Sequence, residues 1–184
     1  LLRPAEHHCT DLLYACLQLA NKVKRLQSSG RPVPAFGLCL LFGGEATVKI
    51  QHPSNPTPVN GGRCSHAALA AALRWYHLRV QADSKPGVGD TNSYPVKIEF
   101  FARASDGLDG PSAYGAGARS SSDLIRVPEM AELASDCLKR GDSYGFFDRI
   151  QSSHGEEKLY LPARLTGTNV MDLFMCLLVI GGSN

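Results

Sequence analysis

Strand-like apolar runs alternate with helical stretches along this chain, and that alternation limits its possible folds more than any other feature. "AFGLCLLFGG" at 35–44 and "VKIEFFARA" at 96–104 are near-continuous apolar segments of strand length. Between them, "RCSHAALAAALRWYHLRV" at 63–80 is built largely from alanine and leucine, both strong helix formers. Earlier still, Leu12, Leu13, Cys16, Leu17, Ala20, Val23 and Leu26 recur at the spacing of one helical face, and Gly30 closes that segment. Interleaved helices and strands bury their apolar sides by layering. The expected fold is a single α/β domain over residues 1–184, a layered mixed sheet with helices on both faces.

The remaining segments fit that plan. "EATVKIQ" alternates in polarity after Gly43 and Gly44, which reads as a hairpin or bulged bend joining two strands, one of them central and the other nearer an edge. "PEMAELASDCLKRG" is helical with Gly141 as its stop, and "SYGFFDRI" is a short helix. The stretch "KLYLPARLTGTNVMDLFMCLLVI" gives an edge segment, a threonine and glycine turn, and a final buried strand or helix. Its apolar part, 170–180, is too short to span a bilayer and contains Asp172. No membrane partner is expected.

Charge narrows the function. Nineteen basic against seventeen acidic residues leave a net charge of +2, which makes no field suited to nucleic acid as the main partner. The charge balance leaves a small anionic ligand open. The six cysteines show no C-x-x-C spacing and several lie in apolar runs such as "LCLLF", the pattern of reduced, buried thiols in an intracellular protein. His7 and His8 beside Cys9 imitate a metal site, yet adjacent residues on a helix point about 100° apart, so no structural metal is assigned. The sequence begins at Leu1 and shows no charged n-region followed by an apolar h-region. It reads as part of a longer chain.

Four glycine-marked polar turns carry the chemistry: "FGGEAT" at 42–47, "NGGRCSH" at 60–66, "SDGLDGP" at 105–111 and "TGTN" at 166–169. Gly61 and Gly62 precede a helix whose first N–H groups favour an anion, and Arg63 adds a fixed fork of donors suited to carboxylate or phosphate. Asp106 and Asp109 flank a Gly-Leu pair. Either the turn aims both carboxylates at one point, to hold Mg²⁺ or take a proton from an alcohol, or each caps its own turn. Thr166, Thr168 and Asn169, with the Gly167 N–H, either line an oxyanion cradle or cap the following segment.

In this order, "FGGEATV", "GGR" opening an alanine-rich helix, "SDGLDGPSAYGAGA" and "TGTNVMDL" closely resemble the MOFRL domain that ends the class II glycerate 2-kinases, some of which carry the older name hydroxypyruvate reductase. The likeness runs from Leu12 to Ile180. The resemblance implies ATP- and Mg²⁺-dependent transfer of phosphate to the 2-hydroxyl of D-glycerate, in a cleft shared with a larger N-terminal domain of the same cytoplasmic protein. It implies catalytic roles for Asp106, Arg63 and Asn169, with Asp106 also placing Mg²⁺. Substrate binding falls to Arg63, Asp109, Gly62 and Thr168. Glu45 matches the acid of the first motif, where a buried turn acceptor is an equal reading. The chain departs from the family pattern at Cys64, Ser65 and His66, at Ala104 and Ser105, at Ala113 and at Met171. The rival reading is a non-catalytic binding or scaffold module that keeps the fold alone. An oxidoreductase rests only on the older family name, and no G-x-G-x-x-G after a first strand supports it.

Overall fold

A computed structural model describes residues 3–4, 14–15, 18–19, 22, 25–26, 29, 36–48, 60–83, 96–110, 115–151 and 158–180. His7, His8, Cys9 and Ala113 lie outside the described residues. In chain order the elements are β1 (Arg3–Pro4), β2 (Phe36–Gly44), β3 (Ala46–Thr47), α1 (Arg63–Asp83), β4 (Val96–Ala104), β5 (Gly115–Ser121), α2 (Pro128–Arg140), α3 (Ser143–Gln151), β6 (Tyr160–Pro162) and β7 (Asp172–Ile180). Residues 14–15, 18–19, 22 and 25–26 are helical; Leu26 packs against the core, as its place in the apolar spacing predicts, and so does Leu19, which that spacing does not include.

The layered α/β fold is present. Five strands form one sheet in the order β2-β7-β4-β5-β6, antiparallel at every pairing, while β1 and β3 make a separate two-residue parallel ladder. Two connections differ from the sequence reading. Gly43 and Gly44 stay inside β2 and pair with Leu173 and Asp172, so they make no hairpin. Strand β2 lies at the sheet edge, and the last run, β7, is the central strand between β2 and β4. A central strand is wanted where apolar residues occupy both faces, and "LFMCLLVI" supplies them more completely than any other run.

Register then sorts the side chains. Leu38, Cys176 and Phe100 share one side of the sheet with Phe174, Leu178, Ile98 and Ala102, and the described core gathers there. Cys39 falls in the opposite row and is exposed, contrary to the expectation that the thiol of "LCLLF" is buried. Cys64, Cys137 and Cys176 are buried and free, as expected. Helix α1 presents Ala67, Ala68, Ala71 and Ala72 to the core, opposite Ala116 and Ala118 of β5. Small residues on both surfaces let helix and strand approach closely. Helix α2 starts with Pro128 at its first turn and buries Ala131, Ala134 and Cys137 at helical spacing. It ends where the Gly141 N–H reaches the Leu138 carbonyl at 3.1 Å. No helix among the described residues is long and apolar enough to cross a membrane.

Candidate functional site

All four glycine-marked turns meet at one end of the sheet, tied by hydrogen bonds from residues far apart in sequence. The first meeting point is Arg63, the opening residue of α1. Its Nη2 donates to Asp172 Oδ1 at 3.1 Å and its Nη1 to Glu45 Oε1 at 3.0 Å. Asp172 Oδ2 also accepts from the Ala46 N–H at 3.4 Å. The Asp172 side chain is 1% exposed, Arg63 35% and Glu45 48%. Glu45 is therefore an exposed ion-pair partner and no buried turn acceptor.

The second meeting point is Asp109, buried under the start of α1. Its Oδ1 accepts from the Cys64 N–H and its Oδ2 from the Ser65 N–H, both at 2.8 Å. Tyr144 Oη donates to the same Oδ2 at 3.1 Å and accepts from the Gly117 N–H at 3.1 Å. Ser143 Oγ meets Ser65 Oγ at 2.8 Å beside it. A carboxylate at a helix N-terminus satisfies donors that have no partner inside the helix. The anion position expected at "GGR" is thus filled from within the chain, and no added Cβ fits at Gly62, where it would strike the Asp109 backbone.

The third meeting point joins "SDG" to "TGTNV". Ser105 N–H donates to the Met171 carbonyl at 3.3 Å, Val170 N–H to Ser105 Oγ at 2.8 Å, and Thr166 N–H to the Asp106 carbonyl at 3.1 Å. Arg164 N–H reaches the Gly107 carbonyl at 3.1 Å. Gly107 adopts φ 90°, and a Cβ there would collide with the Arg164 carbonyl, so the turn needs glycine. Asp106 is half-buried, with Oδ1 accepting from the Leu108 N–H at 3.0 Å. Asn169 Oδ1 accepts from the Met171 N–H at 3.0 Å, and both Asn169 and Thr168 are exposed.

Electrostatics follow burial. Burial works against the Arg63 charge, but Asp172 and then Glu45 more than offset it, so the guanidinium holds its proton more firmly than usual. Burial also lifts the Asp172 carboxyl above its ordinary value, with Arg63 and the Ala46 N–H pulling it back. The two effects oppose each other within one pair. The close contact and the permanently charged guanidinium favour an ionised pair at neutral pH. Burial, then Asp109, push the Tyr144 hydroxyl up, so it acts as a neutral donor. Burial, Asp109 and Asp172 do the same for the Cys64 thiol, which has no nucleophilic form near neutrality.

A family model described as the MOFRL family matches residues 38–172, well over half the chain. The chain belongs to the MOFRL family. A glycerate kinase of Mus musculus is 34% identical over 177 residues, 95% of this chain and 28% of that protein. One of Homo sapiens is 31% identical over 166 residues, 88% of this chain and 26% of that protein. The solved glycerate kinase of Thermotoga maritima has the same fold at a TM-score of 0.52 and 23% identity, covering 98% of this chain and 34% of that one. This MOFRL chain thus spans about a quarter to a third of the length of the relatives it matches.

Of the residues expected at a site, the structure brings Arg63 and Glu45 together, and joins Asp106 to the loop holding Thr168 and Asn169. Asp109 and Gly62 it places beneath α1, in a supporting position. Sequence reasoning missed Asp172, Tyr144 and Ser143. For Asp172 a signal existed: one carboxylate opening an apolar strand is costly to bury without a partner cation.

Proposed function

We propose that this MOFRL chain is the C-terminal domain of a glycerate 2-kinase-like protein and serves ATP-dependent phosphoryl transfer to the 2-hydroxyl of D-glycerate, in a cleft shared with an N-terminal domain. The observation that carries this reading is the meeting of all four turns at one sheet end, with Arg63 partly exposed between two acids. A guanidinium held there offers a fork to a substrate carboxylate or a transferring phosphate. Transfer of the γ-phosphoryl group to glycerate leaves a hydroxyl proton to be accepted. Asp106 is the best-placed acceptor, because one of its oxygens holds the turn while the other remains for chemistry. Thr168 and Asn169 are exposed on the loop that Thr166 ties to Asp106 and would contact the same ligand.

When bound, ATP would supply the phosphoryl group and Mg²⁺ would offset the charge of its phosphates. Among the described residues no three His, Cys, Asp or Glu side chains are grouped to hold a metal ion. A single carboxylate such as Asp106 nevertheless suits Mg²⁺, which keeps waters and substrate phosphates as its other ligands. The nucleotide phosphates find no open helix terminus at α1, since Asp109 fills it, and their cradle belongs on the partner domain.

Two findings favour a second reading, a non-catalytic binding module: Asp109 is wholly committed to α1, and Asp106 is partly committed to its own turn. Kinetics of Asp106→Asn in the intact protein separate the two. In the kinase, glycerate-dependent ADP release falls by about 10²- to 10⁴-fold with little change in melting temperature. Near-normal turnover in the variant overturns the catalytic assignment, and a wild-type protein that binds glycerate without turnover supports the module.

A further inference from the structure

Arg63 is held by two carboxylates that differ in almost every physical respect. Asp172 is buried, opens the central strand β7 and is fixed by a second bond from the Ala46 backbone. Glu45 is half-exposed and grips the other end of the same guanidinium. A buried charge pair is hard to break, because the abandoned charge has neither water nor partner. An exposed pair costs little to break, because water and salt replace it. The Nη1 end of Arg63, itself partly exposed, is thus the end paired to an exposed acid.

Resting on the reading of Arg63 as an anion anchor, we propose that the two acids divide the work: Asp172 is a positioning residue that fixes the guanidinium, and Glu45 is a displaceable stand-in that occupies Nη1 until an oxyanion of the substrate takes its place. A carboxylate is a fair mimic of such a group, since it presents two oxygens in the geometry that the guanidinium fork prefers. Exchange of one exposed oxyanion for another leaves the charge on Arg63 balanced throughout. In the absence of ligand, Glu45 balances the charge at the Nη1 end of the guanidinium and lowers affinity by competing. Asp172 gives the opposite contribution, because Arg63 without it has no fixed direction in which to present its fork.

The decisive variant is Glu45→Gln, which lies on the surface and leaves the core intact. Binding of inorganic phosphate and of D-glycerate to the intact protein, followed by calorimetry, should tighten in Glu45→Gln by about two- to fivefold, the range set by one exposed ion pair. The probe that responds tells whether a phosphoryl group or a carboxylate occupies Nη1. Asp172→Asn, checked by melting for retention of fold, should weaken the same binding by about ten- to a hundredfold. A ¹⁵N spectrum of the Arg63 side chain should show the guanidinium rotating freely in Asp172→Asn and held as in wild type in Glu45→Gln. If Arg63→Ala abolishes binding while Glu45→Gln weakens it or leaves it unchanged, the division of labour is wrong and the anchor stands. If Arg63→Ala binds both probes as well as wild type, the anchor itself is wrong and this proposal goes with it.

Discussion

Met171 is the one non-glycine residue among the described residues with positive φ, at 71°. An unbranched side chain in the left-handed region costs about 1–2 kcal/mol, and asparagine suffers less because its short amide bonds locally. Met171 is half-exposed, so little packing is lost on exchange. Met171→Asn should stabilise the fold by about 1 kcal/mol, read as a rise of about 2–4 °C in melting temperature for a domain of this size. A lower melting temperature would mean that the methionine contributes contacts outweighing its strained backbone. Residues are also where the sequence was least legible. Asp106 and Asp109 sit three apart in one glycine-rich turn, and spacing alone treats them alike. Their fates diverge because Asp109 meets the N–H groups of Cys64 and Ser65, which arrive from more than forty positions earlier. Only the folded chain separates the half-buried carboxylate from the capping one.

Elements were easier to read, because each rests on local pattern. The alanine-rich run of α1, the proline and glycine limits of α2 and the apolar run of β4 all form where their residues predict. What local pattern missed is the way elements are fastened together. "EATVKIQ" alternates well enough for a hairpin partner of β2, yet Ala46 and Thr47 pair with Arg3 and Pro4 instead, and no short-range signal announces that choice. Likewise "GAGA" at 115–118 holds glycines, which have poor strand preference. It becomes part of β5 because α1 needs a surface without bulk beneath it. The join between α1, β5 and α3 runs through Asp109 and Tyr144. Asp109→Ala should therefore cost about 2–4 kcal/mol, from the lost cap and the buried donors left behind. Tyr144→Phe should cost about 1–2 kcal/mol, since Gly117 loses its acceptor and Asp109 one donor. Urea midpoints at constant slope test both. Equal, negligible losses would show that the cap is replaced by water.

The molecule as a whole has two unlike sides. One face of the sheet meets α1 and the core, while Cys39 and Leu41 on the opposite row stand exposed, Leu41 at 68%. Thiols report this difference directly. Iodoacetamide on the folded chain, with adducts mapped by mass spectrometry, should modify Cys39 and spare Cys64, Cys137 and Cys176 until the chain unfolds. Burial withholds all three from the reagent and lifts the thiols of Cys64 and Cys137. Early modification of Cys176 would reverse the assignment of the two faces. The position of β7 bears on how this molecule is made. It comes last among the described strands and belongs in the middle, between β2 and β4. A ribosome therefore delivers the two flanking strands long before the piece that joins them, and in that interval each carries an edge of unsatisfied N–H and C=O groups. Until residues 172–180 enter the gap, β2 has no partner in the five-stranded sheet, and the ladder of β4, β5 and β6 ends in an open edge at β4.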